Sequence, residues 1–361
     1  MKIGIIDNIG FNYDKYLNDE SYGLGGSETW TVQISKYLSH KKIDVYVYCC
    51  IDKFVIDTNN VKYFPINEFN ENNNLQKFDI IIITRSLCDT LEIIKNTKCC
   101  NNVYLMTHEP AIFDNYWEIN YNIYNDKLSK YLFLLKKILV LSDFCKDVFK
   151  SQYNIPEHLM ELTANGFDFD LFPTVNNEQK DHSMLWSTEF NRGFDEFIDN
   201  IVPLIIEKIP DFTIYACSHI GELDDKYNNY KFIKYLGKLD KITLYKEMNK
   251  HACFFYANKC WEAFCNTAVE AALSDNDLIM PLREGPETVF KPFKQYFMDE
   301  GIYFAHDYEF HLAANLISDS ILNHDNPEKI KLRNEIKTYI KEKYNWPYIV
   351  ENLLILFKNN K

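Results

Sequence analysis

The sequence predicts an α/β protein of two similar-sized domains. Three features predict it: short segments apolar nearly throughout, helical patterns alternating with them, and one irregular polar stretch that interrupts the alternation midway. Strands that are apolar on both faces belong to parallel sheets covered on both sides, and their alternation with helices makes α/β units. The 361 residues give room for two domains of roughly 100–200 residues each.

In the first half, strands are expected over 2–7, 44–50, 78–84 (Phe-Asp-Ile-Ile-Ile-Ile-Thr), 103–107 and 138–141. Helical spacing runs over 27–39, where Trp30, Ile34, Tyr37 and Leu38 share a face. From Phe167 to His182 the chain turns polar and irregular and reads as a linker. The alternation then resumes, with strands over 184–187, 212–217, 253–256 and 277–280 and helices over 194–208, 241–250 and 267–273. Two long helical stretches, 327–343 and 346–357, close the chain. The resulting division is 1–170, 171–343 and a last segment 344–361. The cleft between two such domains is the default ligand site. The Asn-rich stretch 70–74 reads as a surface loop.

Composition excludes several classes. The net charge is −13 with no basic stripe, which argues against a nucleic-acid partner and requires any phosphate site to be built locally. Ten cysteines, several in apolar strand-like runs and none in a Cys-x-x-Cys pair, read as buried thiols of a reducing compartment. The first residues form too short an apolar run for a signal peptide, and no run of about 18 apolar residues occurs. A cytoplasmic location is therefore expected; peripheral membrane contact and oligomeric state stay open. The 16% of aromatic residues sits in a background rich in Tyr, Asn, Ile and Lys and marks no cofactor box.

Four motifs carry chemistry. Gly23-Leu24-Gly25-Gly26-Ser27-Glu28 opens a helix. Glycines admit close backbone approach and helix amides favour anions, or Ser27 simply caps the helix. A dinucleotide fingerprint fits poorly, because these glycines lie well beyond the first strand with the wrong spacing. His108 stands at a strand end, where open α/β sheets place ligand contacts, or it is satisfied by local hydrogen bonds. Arg192-Gly193 follows the first strand of the second domain and suits a phosphate, or Arg192 is a surface charge.

The fourth motif is Trp261-Glu262-Ala263-Phe264-Cys265-Asn266-Thr267-Ala268-Val269-Glu270. Thr267 and Glu270 have capping-box spacing, which would account for Glu270. Glu262, in the preceding loop, has no comparable structural explanation beyond a solvated acid. Carboxylates accept from sugar and ribose hydroxyls, and helix amides suit a diphosphate. Asp168-Phe169-Asp170 reads as a turn with solvated acids, and no metal is predicted.

Taken together and in order, these residues resemble the retaining family-4 glycosyltransferases of the GT-B fold. The matching segments are Gly25-Gly26-Ser27-Glu28, His108, Val140-Leu141-Ser142 with Asn165-Gly166-Phe167-Asp168, Arg192-Gly193, Leu236-Gly237-Lys238-Leu239, and Glu262 to Glu270 as the Glu-x7-Glu element. The resemblance implies two Rossmann-like α/β domains facing across a cleft, acceptor side first and donor side second, with segment 344–361 crossing back to the first domain. It implies a hexosyltransferase using a UDP- or GDP-sugar and a glycan, lipid or protein-linked acceptor, with retention, no cofactor and no metal.

Residue by residue, Glu262 would contact the donor hexose, Glu270 the ribose, and Phe264, Cys265, Asn266 and Thr267 the diphosphate and sugar. Arg192 would balance the leaving diphosphate, Lys238 would join the donor site, Gly25 and Gly26 would line the phosphates, and His108 would sit by the transferred sugar. Glu262, Arg192 and His108 are the catalytic candidates. One departure stands out: Ser187 occupies a position where the family often has a second basic residue. Acceptor contacts are expected from 8–22 and 112–125. A nucleotide-sugar epimerase of the same fold and a catalytically silent nucleotide- or glycan-binding protein are the alternatives.

Overall fold

The computed structural model describes residues 1–8, 12–19, 23–71, 75–85, 88–111, 131–173, 180–218, 222–257 and 260–360. Loop 112–125, expected to face an acceptor, lies outside the described residues. So do 9–11 and 20–22 of the other acceptor loop, 72–74 of the Asn-rich stretch and 174–179 of the linker.

The chain forms two compact units, Met1–Phe167 with Tyr344–Lys361, and Asp168–Lys343. The first holds an eight-stranded sheet in the order β3-β4-β2-β1-β5-β6-β7-β8. Its central strands are β1 (Lys2–Asp7), β2 (Asp44–Cys49), β5 (Ile80–Thr84), β6 (Val103–Met106) and β7 (Leu135–Val140). β4 (Lys62–Pro65) and β8 (Met160–Leu162) extend the parallel ladder, and β3 (Val55–Ile56) pairs antiparallel at one edge. All five residues of β5 are buried, as an apolar strand between two helical layers requires. The order reverses at β1: β2 lies on one side of it and β5 on the other. Such a switch point leaves a crevice at the carboxyl ends of the strands.

The second unit repeats the plan with shorter sheets. β9 (Ser183–Trp186), β10 (Thr213–Cys217) and β11 (Ile233–Gly237) form one parallel sheet, and β12 (Cys253–Phe255) and β13 (Asp277–Ile279) another. β12 runs close to β9, so the switch point here lies between β9 and β12. The core packs Trp186, Phe194, Phe197, Phe212 and Phe255 against Ile317 and Ile321 of the Asp307–Leu322 helix. The helix expected over 194–208 forms with a wide π turn at Phe197–Ile201, just before Pro203, which has no N–H to donate.

The last helix, Trp346–Asn359, belongs to the first unit, where it packs on the Gly26–His40 helix and sets Phe357 against Tyr104 at 4.7 Å. Its entry is tightly made: Phe167 N–H donates to Tyr344 C=O at 2.8 Å, and a side chain at Gly166 would collide with the Trp346 ring. Cys49, Cys99, Cys100, Cys145, Cys217, Cys253 and Cys265 are buried free thiols, and Cys50 and Cys260 are exposed ones. No described helix is long and apolar enough to cross a membrane.

Candidate functional site

In the second unit, the carboxyl ends of β9 and β12 bring Arg192 and Glu262 together across 70 residues of sequence. After β9 the chain makes a 3-10 turn, Phe190–Arg192, and leaves it through Gly193 at φ +103°, a conformation that favours glycine. Arg192 then reaches over the end of β12. Its Nη1 donates to Glu262 Oε2 and to Tyr256 Oη, both at 2.8 Å, and Tyr256 Oη donates to the same Glu262 oxygen at 2.8 Å. Burial alone would weaken the arginine's charge, but Tyr256 and Glu262 beside it hold its pKa above the ordinary value. The Tyr256 hydroxyl is pushed well up, by burial first and then by the Glu262 charge, so it stays a donor.

Glu262 is not a solvated acid. Its side chain is 17% exposed, and its second oxygen, Oε1, accepts from Cys265 N–H at 3.1 Å. That bond closes the loop leading into the Asn266–Leu273 helix. Cys265 is the N-cap, held at φ +71° and ψ +68° without a side-chain cap. Its thiol is buried, and burial with the nearby Glu262 charge pushes its pKa well up, so the thiol stays protonated. The loop's backbone is anchored as well: Glu262 N–H donates to Glu284 Oε2 at 2.7 Å, and Gly285 N–H donates to Glu262 C=O at 2.9 Å.

Glu270 corrects the sequence reading. No capping box joins it to Thr267. The helix begins one residue earlier, at Asn266, so Thr267 already lies inside its first turn and is not the cap. Instead the buried Glu270 Oε1 accepts from Lys241 Nζ and from Tyr245 Oη at 3.0 Å, both on the Lys241–Met248 helix. Phe172 stacks on Tyr245 at 4.1 Å. Lys238 is exposed in the turn after Gly237, and Lys241 is the lysine that reaches Glu270. Ser187, directly after β9, has a buried hydroxyl without a hydrogen-bond partner.

The first unit places Gly25, Gly26 and His108 around a buried charge cluster at its own switch point. Asp7 ends β1, and Arg85 directly follows β5 at φ +66°. Arg85 Nη2 donates to Glu28 Oε1 and lies 3.5 Å from Asp7 Oδ2, which also accepts from Tyr13 Oη at 2.5 Å. Glu28 is in the first turn of the Gly26–His40 helix, and its carboxylate lies so close to Gly25 that a side chain there would collide with it. Ser27 does not cap this helix, contrary to one reading of its motif. Gly25 is the N-cap without a side-chain bond, and Ser27 Oγ donates to Glu28 at 3.3 Å. His108 is buried, edge-on to Trp30 at 5.5 Å, with neither ring nitrogen hydrogen-bonded. Burial, then the Arg85 charge, holds its pKa well below the ordinary value and keeps it neutral. Asp168 Oδ1 accepts from Asp170 N–H at 3.3 Å, making that segment a turn.

Sequence reading missed Asp7, Arg85, Lys241, Tyr256 and Glu284 as members of these arrangements. Asp7, Arg85 and Tyr256 share one signal: each ends or directly follows a buried parallel strand, where the sheet opens to a ligand. Lys241 and Glu284 carry no such mark.

Over 99% of its length the structure is similar to a glycosyltransferase from Rickettsia africae ESF-5 (TM-score 0.68, 14% identity, 98% of that chain). Over the same share it is similar to HepE from Anabaena in complex with UDP-glucose (TM-score 0.68, 14% identity, 100% of that chain). It is likewise similar over 99% to the lipopolysaccharide outer core galactosyltransferase WaaB in its apo form (TM-score 0.60, 14% identity, 100% of that chain). At this identity the likeness is one of fold, and the fold is the GT-B fold of these glycosyltransferases. No protein-family model matches the sequence, and no curated protein matches it.

Proposed function

We propose that the chain is a glycosyltransferase that moves a hexose from a UDP- or GDP-sugar to a glycan, lipid or protein-linked acceptor, with retention and without a metal, in the manner of the family-4 enzymes it resembles. The observation that carries this reading is the Arg192–Tyr256–Glu262 arrangement at the switch point of the second unit. It sets a cation, a neutral hydroxyl and a carboxylate beside an uncapped helix start, a set of groups that matches a diphosphate flanked by two sugars.

Each group has a task in this reading. Sugar transfer passes through an oxocarbenium-like state while negative charge grows on the leaving diphosphate. Arg192 balances that charge, and its pairing with Glu262 uses Nη1 only, leaving a planar fork of further N–H donors for phosphate oxygens. The amides at the start of the Asn266–Leu273 helix support the diphosphate from the helix side, next to the Cys265 N–H that Glu262 holds. Glu262 takes a hydroxyl of the hexose. Glu270, whose Oε1 holds both Lys241 and Tyr245, offers Oε2 to the ribose hydroxyls. Lys238 adds a phosphate contact. HepE binds UDP-glucose within the same fold, which supports a nucleotide-sugar donor here.

The test is a thermal-shift screen of UDP, GDP and their sugars against the wild-type chain, followed by assay of nucleoside diphosphate release with Glu262→Ala. Stabilisation by one nucleotide and turnover lost in the variant is the expected result. Stabilisation by none, or equal turnover in both proteins, rejects the assignment. Donor conversion without acceptor would point to an epimerase. Binding without any turnover would point to a silent binder, for which Ser187 in a usually basic position is the motivating observation.

A further inference from the structure

The peptide unit of Glu262 is held from both sides by two adjacent residues of another loop. Glu284 accepts the Glu262 N–H on its carboxylate at 2.7 Å, and Gly285 donates its N–H to the Glu262 carbonyl at 2.9 Å. The two loops are pressed together here, since a side chain at Gly285 would overlap the Ala263 carbonyl and the Phe264 nitrogen. Glu284 itself sits at φ +59°, in the left-handed region that glycine adopts freely and a glutamate at a cost. Backbone geometry alone would therefore favour glycine at 284. The glutamate has one evident use: its carboxylate reaches a loop amide 22 residues away.

We infer that Glu284 is a positioning residue for the donor site, one that sets the height of the Glu262 loop through its hydrogen bond to the Glu262 amide. The inference rests on the donor reading of that loop given above. Glu262 spends one carboxylate oxygen on Arg192 and Tyr256 and the other on Cys265 N–H. A shift of its backbone therefore moves the arginine's anchor and the helix-start amides together. Cys265, three residues on in the Glu262 loop, is also a non-glycine residue at positive φ (+71°), so the Glu262 loop and the Glu284 loop that holds it each carry a conformation that relaxes once its restraint goes.

Two substitutions separate this role from a merely structural one. Glu284→Gly relieves the backbone and removes the acceptor. Glu284→Gln keeps an amide oxygen at the same reach. In the full-length protein, hydrogen exchange of the backbone amides at 262–265 is expected to speed up about tenfold or more in Glu284→Gly and to stay near wild type in Glu284→Gln. The midpoint of thermal unfolding should be equal or higher in the glycine variant. Titration with UDP and GDP should show affinity for the preferred nucleotide weakened about tenfold or more by the glycine substitution and largely kept by the glutamine. Unchanged exchange at 262–265 in Glu284→Gly, or equal losses of affinity in the two variants, overturns the inference. Wild-type protein that binds neither nucleotide overturns the donor reading instead, and the exchange data then decide alone whether Glu284 holds the loop.

Discussion

Arg192 and Glu262 meet at 2.8 Å across the switch point of the second unit, and the same carboxylate closes the loop onto Cys265 N–H through its other oxygen. A charge pair that is part-exposed, with the arginine side chain 34% and the glutamate 17% open to solvent, adds little to folding stability. In the proposed function its value lies in holding a cation against the Glu262 loop.

Arg192→Lys tests that value. Lysine keeps the charge but loses the planar fork that contacts two groups at once. Release of nucleoside diphosphate at saturating donor and acceptor is expected to fall about 100-fold. The thermal midpoint should move by no more than about 2 °C. A large drop in midpoint with unchanged turnover would assign the residue to folding.

Glu270 makes the opposite prediction. It is buried and is the acceptor for Lys241 and Tyr245, so Glu270→Ala leaves a hydroxyl and an ammonium group without their partner. The expected loss is about 2–4 kcal/mol of folding stability in urea unfolding. A variant as stable as wild type would mean that these contacts do not persist in solution.

Arg85 is the only positive charge in contact with the two buried carboxylates Asp7 and Glu28 among the described residues. Arg85→Met fills similar volume and strands both acids, so destabilisation of about 3–5 kcal/mol is expected. Arg85→Met combined with Glu28→Gln should recover part of it, which a double-mutant cycle would read directly.

His108 gives a pH dependence with a defined sign. Folding lowers its pKa well below the ordinary value, so at acidic pH the unfolded chain binds a proton that the folded chain refuses. The stability tied to this group is complete above about pH 6.5 and is lost as pH falls below it. Between pH 7.5 and 5.5 the wild type should lose about 1 kcal/mol more than His108→Gln. Equal losses in both proteins would show that His108 takes up a proton in the folded state.

Much of the fold was legible because its signals are local. A strand such as Ile80–Thr84, apolar on both faces, announces a covered parallel sheet in five residues. Edge strands were not legible. β11 lies at the border of its sheet with Lys234 and Tyr235 exposed, so it carries no unbroken apolar run; the interior strand β7 was legible only from Ile138, because Lys136 and Lys137 follow its first residue, Leu135.

By itself, the sequence determined the α/β class and the alternation of strands and helices, because burial patterns and glycine turns are written in neighbouring residues. Only the tertiary structure decided which groups each glutamate of the Glu-x7-Glu segment bonds to. Glu270, explicable in sequence as a helix cap, is the acceptor for a neighbouring helix. Glu262, for which sequence offered only a solvated acid or a donor contact, is bound at both oxygens and along its backbone. Those partners lie between 3 and 70 residues away, and spacing along a chain carries no record of a hydrogen bond made between strands that fold together.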